Sequence, residues 1–296
     1  MINLKFKKID AFTKGHSSGN PAGYILLDEH QMLSNEEMQK IALELKGFVS
    51  EVGFAKPKED GFQLKYYSSE CEVDFCGHAT IAVMYDLIKE NPYLRSRKKV
   101  DIYVNAGQLT AFNYIDEMDA VYIMAPSPNY MACTLNTSLI SAALEIAETA
   151  FDDSYEIQTI DGGLKTLIVP IQSLDDCLAI HPNEQRLKTF CLEHDLDNIL
   201  IFSAETFNKD SDYRTRVFAP KFGYLEDPAT GSGNAAFGYY LHKRHALDDT
   251  LLIEQSSNRE NANFVRLKKH DHKGETRILF GGCATTRIVG DYQLHI

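Results

Sequence analysis

Leu225-Glu226-Asp227-Pro228-Ala229-Thr230-Gly231-Ser232-Gly233-Asn234-Ala235-Ala236 is the stretch around which the rest of the chain can be ordered. Its glycines permit a tight backbone turn, and the small residues behind them suit the start of a closely packed helix. Amide groups at such a helix start, aided by the helix dipole, form a binding spot for an anion such as a substrate carboxylate. A helix simply capped by Ser232 or Asp227 explains the same pattern, so both readings stand at this point. No Gly-Lys-Ser/Thr follows the glycines, which argues against a nucleotide-binding loop.

Cys76-Gly77-His78-Ala79-Thr80-Ile81-Ala82 lies 154 positions earlier and has the same outline. Other elements recur in the same order. Ser34 and Glu37 form a capping-box signature ahead of Met38, Ile41, Ala42 and Leu45, a helical face that Gly47 ends. A corresponding helix is predicted near 183–194. Alternating stretches predict strands near 3–12, 49–55, 62–68, 99–105, 109–115 and 119–125, then near 198–204 and 213–219. Helices at 34 and 183, strands at 49 and 198 and at 62 and 213, and turns at 77 and 231 are separated by 149, 149, 151 and 154 residues. Such regular offsets describe a duplicated unit of about 150 residues, and the cleft between two such units is the default place for a small-molecule site.

A length of 296 residues fits either one large domain or two of about 150. An excess of 42 acidic over 30 basic residues leaves a net charge of −12, without the basic field that nucleic-acid binding requires. Met1–Thr13 alternates instead of offering a signal-peptide core, and no apolar run reaches membrane-spanning length, so a cytoplasmic protein without a membrane partner is expected. The six cysteines are scattered and form no Cys-X-X-Cys pair, the usage of reduced thiols.

Among residues able to carry chemistry, Glu51 lies in Phe48-Val49-Ser50-Glu51-Val52-Gly53-Phe54-Ala55. Alternation puts Phe48, Val52 and Phe54 on one face and Glu51 with Val49, Gly53 and Ala55 on the other. Small neighbours leave the carboxyl room and partial shelter from water, which suits proton shuttling, although a strand glutamate facing solvent is the rival account. Its repeat-equivalent falls within Ile199-Leu200-Ile201-Phe202, which has no acid. His78 can donate to a substrate or orient Glu51, or can merely stand near a helix start. Cys76 precedes the same helix, yet its counterpart at offset 154 is Thr230, whose hydroxyl is no equivalent base, so packing is its preferred role. His242 and His245 stand three apart on a predicted helix and read as a solvated face. No histidine cluster has metal-ligand spacing, and no metal is expected. Gly19-Asn20-Pro21-Ala22-Gly23 reads equally as a cleft-lining loop or a turn joining two strands.

Taken together, Asp10-Ala11-Phe12-Thr13 with the Gly19–Gly23 loop, Ser50-Glu51, Cys76–Thr80, and Arg216–Pro220 running into Glu226–Ser232 resemble the PhzF-like phenazine-biosynthesis family. The resemblance implies an α+β, diaminopimelate-epimerase-like fold of two pseudo-symmetric domains, each a curved mixed β-sheet wrapped around a central helix. The domains expected are 1–125, completed by the C-terminal segment 283–296, and 126–282. It further implies a cofactor-independent isomerase, commonly a homodimer, acting by acid/base proton transfer on a small carboxylate. Glu51, His78 and Asp227 take the family's catalytic positions, with Ser50, Gly77, Gly231, Ser232 and Asn20 as substrate-binding positions. Epimerases of this fold that use paired cysteines are disfavoured by Thr230. Gln255–Asn263 departs from the Gln-Gly and Gly-Arg-Pro-Ser segments often found in relatives, which affects substrate preference. The alternatives are a two-base amino-acid epimerase or racemase and a non-catalytic small-molecule binding protein.

Overall fold

Alternating residues of the first strand, Ile2–Ala11, send Leu4 and Phe6 inward and Lys5 outward, as a strand with one covered face requires. A computed structural model describes residues 1–295. The chain divides into two compact units, Met1–Met124 completed by the segment from Gly281, and Ala125–Phe280.

The first unit contains, in order, β1 (Ile2–Ala11), β2 (Asn20–Leu26), α1 (Asn35–Glu44), β3 (Glu51–Lys58), β4 (Gly61–Ser68), β5 (Glu72–Val73), α2 (Gly77–Glu90), α3 (Pro92–Ser96), β6 (Lys99–Val104), β7 (Gly107–Tyr114), α4 (Ile115–Met118) and β8 (Ala120–Met124). The capping box opens α1: the Glu37 amide donates to Ser34 Oγ at 3.2 Å, and the Ser34 amide donates to the Glu37 carboxylate at 2.7 Å. Met38, Ile41 and Ala42 then pack on Leu4, Phe6, Ile25, Val52 and Phe54. Helix α2 differs, because every residue from Ala79 to Ile88 is buried. It packs against β1, β2, β3 and β8, and a helix apolar on all sides is stable only when enclosed in this way. Its buried polar side chains are satisfied. Thr80 Oγ1 donates to the Cys76 carbonyl at 2.6 Å, and Asp86 accepts from Lys7 at 2.6 Å.

The second unit contains β9 (Asn129–Met131), α5 (Thr137–Leu144), β10 (Gln158–Asp161), β11 (Lys165–Pro170), α6 (Leu174–Ala179), α7 (Glu184–Glu193), β12 (Asn198–Ser203), β13 (Tyr213–Phe218), β14 (Glu226–Asp227), α8 (Gly231–Lys243), β15 (Thr250–Gln255), β16 (Asn263–His272) and β17 (Glu275–Gly282) up to Phe280. The last strand, β18 (Ala284–Leu294), returns to the first unit and pairs antiparallel with β1 along its length. Helix α8 is enclosed like α2, with Gly233 to Leu241 buried.

One pairing pattern is used twice. β2 and β3 are parallel, β3–β4 and β4–β5 antiparallel, β4–β6 parallel and β6–β7 antiparallel. β11–β12, β12–β13, β13–β14, β13–β15 and β15–β16 repeat those directions in order. The mixed sheets and enclosed helices are those of the expected α+β class. The registers correct one detail. Val52 pairs with Tyr67 and Ile199 with Phe218, so Glu51 corresponds to Asn198, one residue ahead of the segment expected. An amide thus stands where the first unit has a carboxyl.

Two local expectations also change. β3 begins only at Glu51, and the turn before it carries Val49 into the cluster with Val52 and Phe54 while Phe48 stays 42% exposed. His245 lies beyond the Arg244 C-cap at φ 56°, so it does not share a helix face with His242.

Candidate active site

Glu51, the first residue of β3, shares its face with Gly53, and that face lies under α2. A Cβ added at Gly53 would sit 3.2 Å from Val83 Cγ2, so the missing side chain lets the helix approach. The approach brings the start of α2 to the carboxyl. His78 Nε2 is 3.1 Å from Glu51 Oε2, with the two side chains 12% and 17% exposed. The pair lacks hydrogen-bond alignment, and Oε2, though buried, accepts no hydrogen bond.

Cys76 completes the group, its Sγ 3.5 Å from His78 Nδ1 and 4.0 Å from Nε2. Burial pushes the Cys76 thiol up, against the opposing pull of His78. Burial acts against the charged form of His78, but Cys76 and Glu51 outweigh it and hold the imidazole well above its ordinary range. Donor atoms of Glu51, Cys76 and His78 all lie within 4.8 Å of one another, close enough to hold a metal ion. Ligand spacing along the chain did not reveal this group, because Glu51 comes from a strand and the other two from a helix start.

Asn20 opens β2 and is buried, two residues before Ala22, which is in register with Glu51. Gly19 makes the turn into it at φ 72°, where an added Cβ would meet the Ala11 carbonyl at 2.7 Å. Ser50 is exposed, and its amide donates to the Pro21 carbonyl at 3.3 Å. Gly77 is the first residue of α2.

In the second unit Asp227 ends β14, and Thr230 Oγ1 donates to its carboxylate at 2.5 Å. Thr230 is the N-cap of α8, as Cys76 is of α2, and neither side chain caps its helix. Gln255 acts instead from the end of β15. It accepts from the Thr230 amide at 3.0 Å and from Asn234 Nδ2 at 2.7 Å, and its Nε2 donates to the Asp227 carbonyl at 2.8 Å and to Thr230 Oγ1 at 3.1 Å. Ser232 stands half-buried in the first turn, while Gly231 lies against the Phe280 ring, where a Cβ would be 2.4 Å from Cδ2. Arg216 steadies the approach to Asp227 with a bidentate bond to Glu226 at 3.0 and 2.9 Å.

Gln255 and Asn234 were not among the residues singled out from sequence. The available signal was a pair of polar residues, Glu254 and Gln255, closing an otherwise apolar strand. Glu254 is fully buried beside Arg214, which also donates to the carbonyls of Ser256 and Asn258 and so pins the divergent 255–263 segment.

Duplicated mixed sheets around enclosed helices are the arrangement of the epimerase and racemase fold. A probable proline racemase from Agrobacterium radiobacter, solved with bound carbonate, shares this fold at a TM-score of 0.63 and 12% identity, over 99% of this chain and 93% of that one. A Bacillus anthracis protein of the PhzF family is more similar, with a TM-score of 0.87 and 24% identity over 99% of this chain and all of that one. The chain belongs to the phenazine biosynthesis-like PhzC-PhzF family, whose profile matches residues 9–290. Uncharacterized isomerase YfhB of Bacillus subtilis is 30% identical over 298 residues, covering 98% of this chain and 99% of its own. Among the described residues no helix is long and apolar enough to cross a membrane.

Proposed function

We propose that this protein is a cofactor-independent isomerase that moves a proton within a small carboxylate-bearing substrate. Glu51 takes the proton from one carbon and returns it to another. His78 stands beside it as the charge partner of the carboxylate that exists before the first transfer and again after the second, and the amides of the first turn of α2 stabilise the negative charge that develops on the substrate while Glu51 holds the proton. The observation that carries this reading is the Glu51 carboxyl, sheltered from water, with Oε2 3.1 Å from an imidazole that the start of α2 sets beside it. The second thiol that two-base chemistry needs is replaced, at the repeat counterpart of Cys76, by Thr230, whose hydroxyl donates to Asp227. One-base chemistry is therefore preferred.

The test is a screen of small carboxylates for thermal stabilisation, followed by solvent-deuterium incorporation into the hits. Glu51→Gln is expected to lower incorporation by about 10²- to 10⁴-fold, the usual contribution of a general base, while ligand stabilisation persists. Incorporation at the wild-type rate overturns the assignment. Asp227→Asn and Ser232→Ala in the same assay test the electrophilic and anion-binding roles expected of those residues. A ligand recovered unchanged and free of deuterium from the wild-type chain favours a binding protein instead.

A further inference from the structure

We propose that Tyr66 and Thr80 are positioning residues that polarise the Cys76–Gly77 peptide, so that the Gly77 amide gives a stronger hydrogen bond to the anion formed on the substrate. The role in the reaction rests on the reading of Glu51 as the base. Tyr66 pairs directly with Gly53 across β3 and β4, beside the place where α2 settles on the sheet. Its hydroxyl lies 2.6 Å from Thr80 Oγ1, and both side chains are fully buried. Thr80 has a single hydroxyl proton, and that proton goes to the Cys76 carbonyl at 2.6 Å. Tyr66 is therefore the donor in its bond with Thr80, and burial, which holds its hydroxyl well above the ordinary tyrosine range, keeps it protonated. The bonds run one way, from Tyr66 to Thr80 to the Cys76 carbonyl. That carbonyl also accepts from the Thr80 amide at 2.9 Å.

The other side of the same peptide is the Gly77 N–H. Amides in the first turn of a helix meet no carbonyl within it, and Cys76, the N-cap, supplies no side-chain acceptor. Two donors on the carbonyl draw electron density through the planar peptide and leave its N–H more positive. Gly77 precedes His78, whose Nε2 is 3.1 Å from Glu51, so the strengthened amide belongs to the residue next to the acid/base pair. A threonine bonded to the carbonyl four residues back is common and by itself only bends a helix. The second unit, however, reaches the same arrangement with other residue types. Asn234, four residues past the Thr230 N-cap, donates to the Thr230 carbonyl through Nδ2 at 2.8 Å and through its amide at 3.2 Å, and Thr215 Oγ1 of β13 donates to Asn234 Oδ1 at 3.2 Å. In each unit the carbonyl ahead of the first helical glycine takes two donors, with a strand hydroxyl behind them that a helix bend does not require.

The NMR position of the Gly77 amide in the substrate-free, full-length chain reads the polarisation, because an amide nitrogen senses hydrogen bonds on the carbonyl of its own peptide. Thr80→Val is expected to move Gly77 upfield, Tyr66→Phe to move it the same way by less, and Thr80→Ser to restore the wild-type position. An unmoved Gly77 in folded Thr80→Val overturns the proposal. Should Thr80→Val fail to fold because it strands the Tyr66 hydroxyl, the double variant Tyr66→Phe/Thr80→Val, which strands none, is read in its place. Solvent-deuterium incorporation into the carboxylates found by thermal stabilisation then tests the role in the reaction. Chained hydrogen bonds strengthen one another by roughly 10–30%, and one donor to a developing oxyanion is worth roughly 10²–10³ in rate, so kcat is expected to fall about two- to eightfold in Thr80→Val. KM is expected to stay at the wild-type value, and Thr80→Ser to recover kcat. A shifted Gly77 with wild-type kcat overturns the role in the reaction. If Gly77 shifts as expected but the wild-type chain incorporates no deuterium, the polarised peptide stands and the role given to Glu51 falls.

Discussion

Replacing Gln255 by Leu preserves the volume at the end of β15 and removes four hydrogen bonds made by one fully buried side chain. Two of the affected groups keep other partners. Asn234 Nδ2 retains the Thr230 carbonyl at 2.8 Å, and Thr230 Oγ1 retains the Asp227 carboxylate at 2.5 Å. The Thr230 amide, which donates to Gln255 Oε1, loses its acceptor. A buried donor left unmade costs about 1–3 kcal/mol, and each remaining bond lost costs a further ~0.5–1.5 kcal/mol net, partly offset by the apolar replacement. A destabilisation of about 2–4 kcal/mol follows. With a urea slope of about 1–3 kcal/mol per molar, the unfolding midpoint followed by circular dichroism is expected to fall by roughly 1–2 M. Hydrogen exchange at the Thr230 amide should accelerate by about 30-fold or more, since 1.36 kcal/mol corresponds to one factor of ten. A midpoint within about 0.2 M of wild type, with Thr230 protection intact, would refute the view that Gln255 holds the start of α8 and the end of β14 together.

Glu254→Ala strands the Arg214 guanidinium and the amides of Phe207 and Asn208, which donate to Glu254 at 2.8 and 3.0 Å, so a loss of about 3–5 kcal/mol is expected in the same urea assay. A change below ~1 kcal/mol would show that water or a neighbour replaces the carboxylate. Gly231→Ala drives a methyl into the Phe280 ring and should cost about 1–3 kcal/mol, with partial recovery in the double variant carrying Phe280→Leu; equal melting temperatures for the single and double variants would exclude the clash. Burial pushes the Tyr240 hydroxyl from 10.0 to about 12, and it pushes the thiols of Cys177 and Cys191 from 9.0 to about 12. Raised folded values mean that the folded chain holds these protons more tightly. Their contribution is whole below the unfolded values and is lost as pH rises through about 12, so urea stability should decline across that alkaline window. Tyrosinate absorbance assigned to Tyr240, by difference from Tyr240→Phe, is expected to appear together with unfolding. Its appearance near pH 10 in a chain still folded would contradict this.

Local order was readable because its causes lie within a few residues of one another. The capping box at Ser34 and Glu37, the helices that begin at Gly77 and Gly231, and the recurrence of one set of elements at offsets near 150 all follow from short-range spacing. The pairing directions then repeat as a duplicated unit requires. The same spacing misplaced Phe48 and Val49, since a turn ahead of β3 breaks the alternation that was extended through it.

The chemistry at the helix starts depends on separations in space that no local period records. Glu51 meets His78 and Cys76 because Gly53 lets α2 settle on β3, and Gln255 reaches Thr230 because β13 and β15 pair in parallel across a long excursion of chain. Sequence alone determined which residue types stood at the two glycine turns and that they stood there twice. Only the tertiary structure decided that one turn faces a carboxyl across a charge contact while the other is bound to a buried amide, because hydrogen bonds and charge contacts between distant segments form only once sheets and helices have packed.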